Sequence, residues 1–189
     1  IYGLSNKEKQ NIEIELNKLK NTNIFKIRKD KILELIKEFN FLEDIYVNKV
    51  IPSKIKIHLT KTLIIGKTLR NGKNFYIGKN GKFIKSNQLN ETNYIPLVFG
   101  EFGIDEYLEL QNMLNDNQVD LQKIEKYFYY KTKRWDLLFK NKLTLKLPSQ
   151  NIDKSIKIYK KLLDNDNLSN KQTIDLRITN QIILTNFNE

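Results

Sequence analysis

The chain has 189 residues, no cysteine, a single histidine and a formal net charge of +11. Missing thiols exclude disulfide staples, thiolate zinc sites and cysteine nucleophiles, and one histidine cannot build a multi-histidine metal centre, so neither metal nor cofactor is expected. The positive charge is mostly lysine spread along the whole chain, with Arg28, Arg70, Arg134 and Arg177 the only planar forks. That distribution argues against a module that reads nucleic acid, which needs basic and aromatic groups on a common face.

Ser5 stands three residues before Glu8, the spacing of a capping box, so a helix is expected to begin there. Ile12, Leu16 and Leu19 give it one apolar stripe, and Asn21-Thr22-Asn23 ends it. A second helix near Asp30 places Ile32, Ile36 and Phe39 on one face and stops around Asn40. The period then changes to two. Ile45 and Val47 alternate with Tyr46 and Asn48, Pro52-Ser53 turns the chain, and Ile55, Ile57 and Leu59 alternate with Lys56, His58 and Thr60. With Ile1-Tyr2 as the stub of a strand, the first stretch reads strand, helix, helix, strand, strand, and two helices on one face of such a sheet bury both stripes.

From Thr62 the chain shifts to short strands and glycine turns. Phe75 to Ile77 and Phe83-Ile84 flank Gly78-Lys79-Asn80-Gly81, the chemistry of a hairpin. One helix is expected between Gly103 and Asn115. Strands follow at Ile124 to Tyr130, Trp135 to Phe139 and Leu143 to Leu147, with Asn141-Lys142 as a tight connection. A helix from Asn151 to Leu163 precedes a strand at Thr173 to Ile178, a turn at Thr179 to Gln181 and a final strand from Ile182 to Phe187. The fold expected is α+β: a β-α-α-β-β unit over residues 1–62, then a mostly antiparallel sheet domain flanked by helices over 63–189.

Catalytic motifs fail on context. Gly66-Lys67-Thr68 resembles the end of a phosphate-binding loop, but Lys61 stands where that loop needs glycine and Arg70-Asn71-Gly72 where it needs a helix. His58 reads as an exposed residue beside Lys56 and Thr60. The carboxylate pairs Glu43-Asp44, Asp105-Glu106 and Asp164/Asp166 lie at helix ends or in polar loops, where they cap helices or offset lysine. Trp135 shares a face with Leu137 and Phe139 and reads as core. The apolar run Ile182-Ile183-Leu184 near the chain end is different, because a terminal strand at a sheet edge offers unpaired amides and carbonyls to another protein's strand. No enzymatic activity is expected.

The opening IYGLSNKEK and the later YVNKVIPSKIKIHLTK resemble a POTRA module. FYIGKNGKFI with YIPLVFGE, then KRWDLLFKNKLTLKLP and IDLRITNQIILT, resemble the FtsQ/DivIB family of bacterial cell-division proteins, most closely its alphaproteobacterial forms. Lysines replace many of that family's arginines, and Asn186-Phe187 stands where some members carry tryptophan. The resemblance implies a non-enzymatic divisome scaffold, periplasmic, at the septum, on a single inner-membrane anchor helix absent from this chain. It also implies that the closing strand pairs with FtsB, which coils with FtsL, while the POTRA module recruits other division proteins. Carried onto this chain, the contacts fall on Ile178, Asn180, Gln181, Ile182, Ile183, Leu184, Thr185 and Phe187, and Arg134 and Arg177 meet partner carboxylates. Other readings are a POTRA-bearing protein of outer-membrane assembly or secretion, and a basic nucleic-acid-binding module.

Overall fold

The computed structural model describes residues 1–89, 93–164 and 171–186. Helix α1 spans Asn6–Leu16, and the Glu8 carboxylate accepts from the Ser5 amide at 3.0 Å and the Ser5 hydroxyl at 2.7 Å, so the capping spacing starts the helix as expected. A short 3-10 turn at Asn17–Leu19 follows, then α2 at Lys29–Ile36. Strands β1 (Leu42–Val50) and β2 (Lys54–Lys61) form an antiparallel hairpin. Tyr2 bridges in parallel to His58, its amide donating to the Ile57 carbonyl and its carbonyl accepting from the Leu59 amide. Gly3 permits that approach, for at its φ of 92° a β-carbon would sit 2.1 Å from the Leu59 carbonyl oxygen.

Strand β3 runs from Ile64 to Arg70, and β4 (Lys73–Gly78) and β5 (Phe83–Lys85) form the expected glycine-turn hairpin. The first of two compact units comprises residues 1–65 and 73–93, so it takes in this hairpin as well as the first 62 residues. Its core joins Ile12, Ile32, Ile36, Phe41, Ile57 and Leu59 to Ile84 and Leu89 of the hairpin segment. Alternation in β2 is what aims Ile57 and Leu59 at the helices while Lys56 and His58 face water.

The second unit comprises 66–72 and the described residues from Tyr94 on. It holds β6 (Leu97–Phe99), α3 (Ile104–Asp116), β7 (Ile124–Tyr129), β8 (Trp135–Phe139), β9 (Thr144–Lys146), α4 (Ile152–Asp164), β10 (Lys171–Asp175) and β11 (Ile183–Asn186). Its strands lie in the order β11-β10-β9-β8-β7-β6-β3. The sheet is mixed, not mostly antiparallel. β3 with β6, β6 with β7 and β9 with β10 are parallel, whereas β7 with β8, β8 with β9 and β10 with β11 are antiparallel. For β6 with β7 and for β9 with β10 the cause is that α3 and α4 carry the chain back along the sheet, and a strand entered after such a crossover runs parallel to the one before it. Short connections such as the one through Asn141-Lys142 give antiparallel pairs; Lys142 adopts φ 67° and Asn141 Oδ1 accepts from the Leu143 amide at 3.2 Å.

One cross-strand row, Val98, Tyr127, Leu137, Leu145 and Ile174, is buried. Beside it Trp135 packs against Tyr107 of α3, ring centroids 5.9 Å apart, and Phe139 against Tyr159 of α4 at 5.6 Å, so this face lies under the helices. Trp135 is core, as its alternation with Leu137 and Phe139 indicates.

Candidate edge-strand interface

β11 is the last strand of the sheet, and β10 is its one strand partner among the described residues. Antiparallel pairing sets Asp175 opposite Ile183, Ile174 opposite Leu184 and Thr173 opposite Thr185. All four residues of β11 are exposed, Ile183 at 46% and Leu184 at 37%. The strand begins one residue later than expected, after Ile182, and Phe187 lies outside the described residues. β10 ends at Asp175, although the Leu176 amide still donates to the Lys146 carbonyl at 2.9 Å. Arg177 and Ile178 therefore belong to the connecting loop. Asn180 turns that loop with φ 63°, and the Gln181 amide closes it onto the Ile178 carbonyl at 3.1 Å.

Ile178 and Ile182 are exposed and line a groove of about 360 Å³, whose other wall is α4 through Lys154, Ser155 and Ile158, with Leu176 also lining it. An outward backbone edge with an apolar slot beside it has the two parts that strand addition uses: hydrogen bonds along the main chain and pockets for side chains.

The two arginines are not isolated. Arg177 donates from Nε to both Asp175 oxygens, at 2.8 and 3.0 Å, and Nη2 also donates to Oδ2, while its own amide donates to Oδ1 at 3.1 Å. Those bonds from Arg177 hold the Asp175 carboxyl below the usual carboxylate range and raise the guanidinium in turn. Arg134 lies with its Cζ 4.4 Å over the Tyr130 ring, and its Nε is 4.0 Å from Asp136 Oδ1. Asp136 is 5% exposed, and its burial raises its pKa against the lowering pull of Arg134, Tyr130, Lys146 and Arg177. Cross-strand register explains the cluster, since Asp136 faces Lys146 and Lys146 faces Asp175 on neighbouring strands. Arg134 and Arg177 line one shallow pocket of about 340 Å³ with Thr132, Ser149, Asn151 and Thr179.

Asp175, which holds Arg177, and Asp136, which lies near Arg134, are not among the expected site residues. A usable signal exists in the chain: Arg134 with Asp136, and Asp175 with Arg177, are two apart, the spacing that puts side chains on one face of a strand. The Gly66-Lys67-Thr68 string lies inside β3, with Thr68 buried. His58 stacks its ring on Tyr2, centroids 4.8 Å apart. Of the carboxylate pairs, Glu43-Asp44 begins β1 and Asp105-Glu106 lies in the first turn of α3, while Asp166 is outside the described residues.

Residues 68–177 match the family model "Cell division protein FtsQ/DivIB, C-terminal". The chain belongs to the FtsQ/DivIB family. The chain is 27% identical over 190 residues to the cell division protein FtsQ of Rickettsia bellii, covering 99% of this chain and 70% of that one. To FtsQ of Rickettsia typhi it is 26% identical over 197 residues, covering 99% and 71%. A solved structure of the major extracytoplasmic domain of the Geobacillus stearothermophilus division protein DivIB is similar at 14% identity and a TM-score of 0.40, covering 57% of this chain and 98% of that one. As a family member the protein is a non-enzymatic divisome scaffold, and this is a periplasmic FtsQ/DivIB-type domain. The alphaproteobacterial character expected from the sequence agrees with the Rickettsia relatives.

Proposed function

We propose that this FtsQ-type chain works by accepting a strand of FtsB, the partner of FtsL, on the outer edge of β11, beside which no further strand lies among the described residues, at the division septum and on a single inner-membrane anchor helix. The observation that carries the reading is the position of β11 at the end of the sheet with exposed apolar residues, Ile183 and Leu184, on it. Bonds across the new ladder hold the incoming strand, the groove walled by Ile158, Ile178 and Ile182 takes one of its apolar side chains, and Arg134 and Arg177 receive its carboxylates. Asp175 keeps the Arg177 fork oriented before the partner arrives, which reduces the side-chain freedom lost on binding.

Residues 1–62 are read as the POTRA module that recruits other division proteins, with the β4–β5 hairpin appended. The order of the Tyr2 bridge, α1, α2, β1 and β2 supports it.

Proline scanning of the edge tests the strand-addition step. Neighbouring residues on an edge strand alternate between pointing the amide at the partner strand and at solvent, so of Ile183→Pro and Leu184→Pro one removes an outward donor. That variant is expected to keep its fold and to weaken binding of a peptide from the membrane-proximal periplasmic part of the organism's own FtsB by about tenfold or more. Full affinity in both variants rules out strand addition at β11.

A further inference from the structure

Strand β1 lies at the edge of the first unit's hairpin, and β2 is its one strand partner among the described residues. Which way its backbone points follows from Tyr2. The Ile57 carbonyl and the Leu59 amide bond to Tyr2, so residues 57 and 59 turn their main-chain groups away from β1 and His58 turns its own toward it. His58 stands opposite Tyr46, which makes these two a hydrogen-bonded pair. Ile45 and Val47 on either side, and Lys49 beyond, therefore aim their amides and carbonyls outward, where no strand receives them among the described residues. At nine residues β1 is the longest described strand, and an edge of that length with outward donors and acceptors can take another strand.

The occupant follows from the order of side chains along the strand. Ile45 and Val47 are half-buried against the first unit's core, whereas Tyr46 between them is 70% exposed. The strand opens with Glu43 and Asp44 and nears its end with Lys49, all three exposed and none of them in an ion pair among the described residues. An antiparallel two-fold centred on Tyr46 sets Glu43 opposite Lys49 of a second copy, and does so twice by symmetry. The same register sets Ile45 opposite Val47 and meets outward backbone groups with outward ones. A centre on Ile45 would instead face Glu43 with Val47, and a centre on Val47 would face Lys49 with Ile45. A centre between two residues would set outward groups against inward ones. Of these registers, the one on Tyr46 satisfies backbone, apolar contact and charge together.

We propose that β1 pairs antiparallel with β1 of a second copy about a two-fold axis at Tyr46, a self-association that does not use β11. One strand pair is smaller than a standard interface of about 1,600 Å², so the association is weak and is read at high protein concentration. The chain has no cysteine, so single cysteines introduced into it report the register. At the two-fold the Tyr46 α-carbons form a non-hydrogen-bonded pair about 4.5 Å apart, within disulfide reach. Under mild oxidation Tyr46→Cys is expected to cross-link to itself, whereas Asp44→Cys and Asn48→Cys should cross-link only when the two variants are mixed. Charge exchange is the second test. Glu43→Lys and Lys49→Glu should each weaken self-association in sedimentation equilibrium by about fivefold or more, and an equimolar mixture should restore it. Recovery on mixing also requires both variants to be folded. A parent chain that stays monomeric at millimolar concentration, Asp44→Cys that cross-links as fast alone as with Asn48→Cys, or charge variants whose mixture associates no better than either alone would each overturn the proposal.

Discussion

β8 and β11 are both apolar strands of one sheet, and their fates are opposite. Trp135, Leu137 and Phe139 of β8 are buried beneath the two helices, with β7 and β9 on either side, while Ile183 and Leu184 of β11 face water at the sheet's end. Apolar content therefore does not assign a strand to the core; its neighbours on the ladder do. A central strand stabilises the fold through its side chains, and an end strand keeps a backbone edge that another chain can use.

Truncation is the strongest way to break this comparison. Trp135→Ala removes a side chain in contact with Phe102, Tyr107, Tyr127 and Tyr129, and should cost roughly 3–5 kcal/mol in urea denaturation. Ile183→Ala on the exposed strand should change stability by about 0.5 kcal/mol or less while weakening FtsB-peptide binding. Comparable losses of stability at both positions would contradict the division of labour.

The arginine cluster sharpens it at a smaller scale. Arg177→Ala leaves Asp175 mostly buried without its partner, and since the arginine is itself about a third exposed the loss of stability should be near 1 kcal/mol. Binding should fall further than stability does, which calorimetry on the same variant checks.

Acid titration gives a smaller effect with a definite sign. Asp175 has a lowered pKa, so its pairing stabilises the fold above the ordinary carboxylate pKa of about 3.9, and that contribution is lost as pH falls through the lowered value. Asp136 has a raised pKa, so its contribution is present below the ordinary value and lost as pH rises through the raised one. Asp175→Asn should therefore be less stable than the parent at neutral pH, with the gap closing on acidification. Asp136→Asn, which removes a buried charge, should match or exceed the parent at neutral pH and lose that advantage in acid. Urea midpoints across the acid range read both.

Much of the architecture was legible because local rules acted without competition. Ser5 with Glu8 starts α1, the alternation of Ile57 and Leu59 aims β2, and the glycine turn after Ile77 makes the β4–β5 hairpin. What was hidden depended on distant chain. β6 is a short strand that pairs in parallel with β3, Lys67 with Leu97 and Thr68 with Val98, and no turn between them announces it. Hairpin turns alone suggest a mostly antiparallel sheet, whereas the α4 crossover between β9 and β10 sets those two strands parallel. At the edge, the apolar run Ile182 to Leu184 is visible in the chain, whereas the gathering of Asp136, Lys146 and Asp175 beside the two arginines comes from the cross-strand register.

The most direct test of strand addition is an amide-resolved NMR titration of the full chain with the membrane-proximal periplasmic FtsB peptide, followed by hydrogen exchange of the complex. The account predicts shifts clustered from Arg177 to Asn186 and new exchange protection at alternate amides of β11, the pattern of a ladder formed on one side. Shifts confined to residues 1–62, or binding that leaves the β11 amides as exchangeable as before, would contradict it.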